Sequence, residues 1–337
     1  MSGVVFFLYM SRWQIQTVAA VFLLAAGIAV GHFVDFSSLP LKPMADVTSK
    51  NNSYSLIDPL LFCSDQDISG YTNKVVNQLE DSINAYISSA TSQGKITHAS
   101  VYYKDLGDGP NLVINENLKT VPASLLKVPT AIAIYKHAES DPNFLAKEFS
   151  ESATNTENVS QHFVPPKMIG KGQSYSVEDL IAYMLEDSDN AALYLLGSSL
   201  PQSEFATAYS DLGIATPDEP APGYTISART FASFFRVLYN ASYLNQKDSE
   251  HMLELLSHSD FPQGIRSGVP RNTTVADKFG EYTVSDNDLR LNDCGIVYRP
   301  GDPYILCILT QGSNFDSMAQ VIAGISSTVW GVLEAQK

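Results

Sequence analysis

Ser124 and Lys127 stand three residues apart in VPASLLKVP, residues 121–129, a stretch that is otherwise apolar. On a helix that spacing puts hydroxyl and amine on one face, a single turn apart. A lysine partly withdrawn from water has a lowered pKa, so it can take the serine's proton and free the oxygen as a nucleophile. The spacing alone is weak, because Ser92 and Lys95 repeat it in the polar turn SQGK. Ser124 differs in opening an apolar helical run behind Pro122, although a helix cap with a snorkelling lysine would use the same residues. A second group, Ser188, Asp189 and Asn190, interrupts SVEDLIAYMLEDSDNAALYLLG, residues 176–197, between two apolar helical runs. A hydroxyl there can pass a proton to a leaving nitrogen, and an amide can hold a substrate carbonyl. Ser285, Asp286 and Asn287 repeat the triplet in a place that suits a solvated turn. The third group is VADKFG, residues 275–280, a strand ending in Lys278, Phe279 and Gly280. Glycine lets a substrate lie close against a strand edge, and lysine supplies positive charge beside it.

These groups are far apart in a chain of 337 residues, so the fold must bring them together. Residues 71–92 carry Val75, Val76, Leu79, Ile83, Tyr86 and Ile87 at helical spacing, a helix with one apolar face. ASVYYKDL and NLVINEN follow as strands parted by GDGP, a hairpin signal. From about 121 to 260 the pattern is helical, broken by the loops VPPKMIGKGQ and PDEPAPG. TTVADKF, CGIVYRP and YILCILT are strands again, before a last helix from about Phe315. This order predicts an α+β fold, with one antiparallel sheet built from both ends of the chain, flanked by helices and carrying an inserted helical subdomain.

Composition bounds the function. Hydrophobic residues make up 45% and charged ones 17%, enough for a full globular core in residues 57–337. The net charge of −15, without a Lys/Arg cluster, excludes a grip on a phosphate backbone, so nucleic acid is not expected as a partner. The six histidines are scattered, and no metal or organic cofactor is implied. TVAAVFLLAAGIAVGHFV, residues 17–34, is almost wholly apolar and about as long as a bilayer is thick. Residues 14–34 therefore read as a transmembrane anchor or signal segment, after a short cytoplasmic segment, 1–13, that holds an alternative start at Met10. Arg12 favours a cytoplasmic N-terminus, with everything after about residue 35 outside the membrane. AAGIA offers a cleavage site, which would make the protein secreted, but the length of the run favours an uncleaved anchor. Residues 35–56, rich in Pro, Ser, Asn and Asp, read as a tether. Of three cysteines, Cys294 and Cys307 flank the turn YRPGDPY. Strand parity can set them on opposite faces, and buried thiols are the expectation. Sequons at Asn51, Asn158, Asn240 and Asn272 matter only if the source glycosylates.

Taken in order, Ser124-x-x-Lys127, Ser188-Asp189-Asn190 and Lys278-x-Gly280 resemble the signature of the serine β-lactamase and penicillin-binding protein superfamily. The resemblance covers roughly residues 70–335 and is nearest to the class A β-lactamase catalytic domain, including the strand order and the phrase YSVEDLIAYMLEDSDNAA. It implies Ser124 as the acylated nucleophile, Lys127 as its base, Ser188 as proton shuttle and Lys278 as an anchor for the substrate carboxylate. Asn190, Phe279, Gly280 and Glu281 would touch the substrate, with an oxyanion hole at the N–H groups of Ser124 and Glu281. Two departures stand out. Where the family has a Thr or Ser hydroxyl for the substrate carboxylate, this chain has Phe279, which leaves Arg290 or Arg266 as the candidate to compensate. Residues 212–234 lack the family's deacylating glutamate followed four residues later by asparagine, and only Asp218 and Glu219 are acids there, Glu219 being the candidate base. The resemblance thus implies an envelope-anchored serine hydrolase or acyltransferase acting on a peptidoglycan-type amide or a β-lactam. The alternatives are a true β-lactamase and a non-catalytic cell-wall or β-lactam sensor.

Overall fold

The computed structural model describes residues 54–59, 69–107, 109–150, 158–215 and 223–336. The apolar run at 17–34, most of the tether, Cys63, Asp218 and Glu219 lie outside them. Among the described residues no helix is long and apolar enough to cross a membrane. Tyr54–Lys337 is one compact unit. At its start Glu250 accepts the successive backbone N–H groups of Ser55, Leu56 and Ile57, which ties the end of the tether to the domain.

The centre is a five-stranded antiparallel sheet in the order β2-β1-β9-β8-β7. Its strands are β1 (His98–Asp105), β2 (Asn111–Ile114), β7 (Val275–Ser285), β8 (Asp288–Val297) and β9 (Tyr304–Gly312). The hairpin from one end of the chain joins the meander from the other where β1 pairs with β9, Val101 opposite Ile308. Two-stranded pairs, β3 (Lys119–Thr120) with β6 (Ile226–Ser227) and β4 (Glu148–Ser150) with β5 (Ser174–Ser176), are too short to show in the sequence pattern.

Both faces of the sheet are covered, which is why β9 reads as an unbroken apolar run. Leu306 and Ile308 point to the layer made by α1 (Ser69–Ser92) and α8 (Phe315–Glu334), against Leu79, Ile83, Ile322 and Ile325. Ile305, Cys307 and Leu309 point to the other core, which holds the inserted helices. These are α2 (Lys127–Ala138), α3 (Val177–Glu186), α4 (Asn190–Gly197), α5 (Gln202–Asp211), α6 (Ala228–Tyr239) and α7 (Gln246–Ser257). Helix α3 starts on a capping box, in which Ser176 and Asp179 satisfy each other's backbone N–H. Helix α6 starts on Ser227, whose side chain accepts from Thr230 N.

Three local expectations change. Ser124 lies on a 3-10 turn, Ala123–Leu126, and the α-helix begins only at Lys127. Strand β7 runs past Gly280 to Ser285, and the second Ser-Asp-Asn triplet forms the exposed β7–β8 turn. Cys294 and Cys307 sit directly opposite each other on β8 and β9, fully buried and joined as a disulfide. The antiparallel register gives the two cysteines the same facing, so the expectation of separate thiols does not hold.

Candidate active site

The turn that carries Ser124 is held by an uncommon backbone. Ala123, just before Ser124, has φ 50°, in the left-handed region that L-residues rarely occupy. Ser188 has φ 60°, so two of the few such non-glycine residues flank the same cleft. Strand β7 is one edge of the sheet and runs along the turn. A Cβ on Gly280 would stand 2.7 Å from Pro122 O and 3.0 Å from Ser124 N, so only glycine allows the two backbones to touch. This contact sets the N–H of Ser124 against β7 beside Glu281.

Lys127 is fully buried at the start of α2. Its Nζ lies 2.6 Å from Ser188 O, 3.1 Å from Ser188 Oγ and 2.7 Å from Asn190 Oδ1. Burial, and next the positive charge of Lys278, hold its pKa well below the ordinary lysine range, against the opposing pull of Asp189 and Glu281. A neutral amine beside a serine can act as a base. Lys278 is also fully buried; its Nζ donates to Phe279 O at 3.2 Å and lies over the Phe279 ring at 4.4 Å. Burial pushes its pKa down to about 7, opposed by Asp277, Asp293 and Glu281.

The structure therefore gathers the residues singled out by spacing. Ser124, Asn190 and Glu281 line one cleft of about 420 Å³, with Ser160, Gln161 and Phe315 completing its walls. Lys127 and Ser188 are not among its lining residues; they meet each other and reach the cleft through Asn190, which Lys127 bonds. Phe279 does not reach into it, for the ring is buried and stacked on Phe261 at 4.1 Å, with Phe163 edge-on at 5.9 Å. Neither arginine compensates. Arg266 donates to Asp277 Oδ1 at 2.6 Å and to the carbonyls of Leu256 and Val275, and Arg290 is held on Asp288. Glu219 lies outside the described residues.

Spacing did not reveal the residues that hold this set in place. Asp189 accepts from Ala191 N and Asn158 Nδ2 on Oδ1 and from Ile169 N on Oδ2, which fixes the turn that presents Ser188. Asn158 in turn accepts from Asn190 N at 2.8 Å. A sequon by pattern, it is only 2% exposed and so belongs to the interior. Beneath Lys278 lie Asp277 and Asp293, both fully buried. Burial and the charge of Asp277 push the Asp293 pKa well up, and burial raises Asp277 to about 6 against the pull of Arg266. A proton kept on Asp293 lets the pair share one hydrogen bond while Asp277 stays ionised beside Arg266. Gly264, at φ 65°, leaves the space that the Asp293 carboxyl fills. In the sequence these acids showed only as charges in a strand.

This strand order, with Ser124 and Asn190 on one cleft and the buried Lys127 bonded to the Ser188-Asp189-Asn190 turn, is that of a β-lactamase-like serine enzyme fold. Residues 78–333 match the model of the β-lactamase enzyme family, and the chain belongs to that family. Among solved structures it is similar to a β-lactamase from Chitinophaga pinensis, at 20% identity and a TM-score of 0.64, over 76% of this chain and all of that one. A β-lactamase from Xanthomonas campestris gives 18%, 0.63, 76% and 98% in the same order. A PBP-A mutant, described as an acyl-enzyme complex with penicillin G, gives 17%, 0.63, 76% and 97%. At such identities the likeness is one of fold. No curated protein sequence matches the chain.

Proposed function

We propose that the chain is a serine hydrolase or acyltransferase that takes the acyl group of a peptidoglycan-type peptide amide, or of a β-lactam, onto Ser124. The observation that carries this reading is the buried Lys127 amine, bonded to Ser188 and to Asn190, which lines the same cleft as Ser124. Neutral Lys127 takes the Ser124 hydroxyl proton as Oγ attacks the carbonyl carbon. The N–H groups of Ser124 and Glu281 hold the oxyanion. The proton then passes through Ser188 to the leaving nitrogen, the C–N bond breaks, and an acyl-serine remains.

Hydrolysis of that ester needs a placed base for water, and residues 212–234 carry no glutamate followed four residues later by asparagine. Loss of such a base slows the step by about 10²- to 10⁴-fold. Acylation therefore outlasts turnover, which favours peptide chemistry over antibiotic destruction and keeps a sensor role as the second reading. The apolar run at 17–34, with Arg12 before it, supports membrane anchoring and an extracytoplasmic catalytic domain. The test is labelling of the full-length chain with a fluorophosphonate, a fluorescent penicillin and a chromogenic cephalosporin. Persistent label that Ser124→Ala abolishes, with slow or no colour, is expected. Rapid colour would make the protein a β-lactamase, and absence of every label would remove the serine-acylation reading.

A further inference from the structure

The charge of the cleft bears on which acyl donors it takes, a question that rests on the serine-acylation reading. Glu281 is the one charged residue among those lining the cleft; the others are neutral hydroxyls and amides or apolar side chains. No lysine, arginine or histidine is among the residues lining it, although the charges of His162 and Lys278 act on Glu281. Lys127 and Lys278 are both fully buried and engaged, and Arg266 and Arg290 are held on Asp277 and Asp288. The internal segments outside the described residues, 60–68, 108, 151–157 and 216–222, contain no Lys, Arg or His.

Glu281 is also fixed in place. Its Oε1 accepts from His162 N at 2.7 Å and its Oε2 from Phe163 N at 3.3 Å; burial raises its pKa, and these two N–H bonds pull the other way, toward the ionised form. At the other end of the same segment Asn158 bonds Asp189 and Asn190, so residues 158–163 cross from the Ser188 turn to β7, with Ser160 and Gln161 as cleft wall. The ring of Phe279 is turned into the aromatic stack with Phe261, so this position offers the cleft no hydroxyl to meet an anion. A carboxylate lying along β7 next to the scissile amide would thus face a like charge, with no lysine or arginine among the cleft-lining residues to pair with it.

We propose that this cleft selects acyl donors with no carboxylate beside the scissile amide, neutral or ammonium-bearing peptide amides, and that Glu281 sets that selection. The residue acts by charge on the substrate, so its signature is a ratio between two ligands and not an overall rate. The probes are benzylpenicillin and its primary carboxamide, which differ in that one charge. On the full-length chain the carboxamide acylates Ser124 at least about tenfold faster than the acid, and the ratio shrinks as salt screens the contact. Glu281→Gln moves the ratio toward unity. An acid that reacts as fast as its amide, or a ratio unchanged in Glu281→Gln, overturns the proposal even where Ser124 is acylated. If neither probe acylates, the same pair is measured for binding to Ser124→Ala by thermal shift. Preferential binding of the carboxamide, lost in the Glu281→Gln background, supports the selection although the acylation reading fails. Equal or stronger binding of the acid overturns it.

Discussion

The proposed acylation depends on keeping a lysine neutral. Lys127 has its pKa held well below the ordinary lysine value of 10.5, first by burial and then by Lys278. The free-base fraction rises as pH passes upward through the folded pKa, so acylation rises with pH and levels off far below 10.5. Lys127→Arg keeps the positive charge but cannot lose a proton in this range. It is expected to lower the acylation rate by at least about 10²-fold and to abolish the rise with pH, as read by fluorophosphonate labelling across pH 5–9. Asp189 touches no substrate; it caps α4 and ties Asn158 and Ile169 to the Ser188 turn. Asp189→Ala leaves buried donors unsatisfied and removes a cap, with an expected loss of about 2–4 kcal/mol in denaturant unfolding.

Among the elements, the decisive meeting is between the edge strand β7 and the 3-10 turn at Ala123–Leu126. The closest atoms there are backbone, which cannot swing aside. Gly280→Ala must separate turn and strand, moving the Ser124 N–H away from Glu281. Acylation is expected to fall at least about tenfold, while the thermal midpoint moves by only a few degrees because the strand keeps its pairing to β8. A midpoint drop of tens of degrees would show the contact to be structural first. The elements themselves were legible: α1, β1, β2, β9 and α8 follow from apolar period and turn residues. Ser124 on a 3-10 turn was not legible, because Pro122 and the contact with β7 override the helical pattern.

At the scale of the whole molecule, the chain closes its sheet by pairing β1 with β9 across most of the sequence, and the Cys294–Cys307 bridge lies in the middle of that sheet. Cross-linking a loop with a sequence separation of 13 restricts the unfolded chain by about 3 kcal/mol. Reduction, or paired replacement by Ala, is expected to lower the unfolding free energy by about that amount, read by urea titration with and without reductant. The sequence by itself determined the fold class, the sheet built from both ends and the chemical types at Ser124, Lys127, Ser188 and Lys278, because apolar period and residue chemistry are local properties of the chain. Only the tertiary structure decided that Phe279 turns away into an aromatic cluster and that Arg266 and Arg290 are spent on carboxylates. It also decided that Asn158 props the Ser188-Asp189-Asn190 turn and that Glu281 is the charged residue lining the cleft. Those outcomes depend on which partners meet across the fold, and burial and charge take their values only after that meeting.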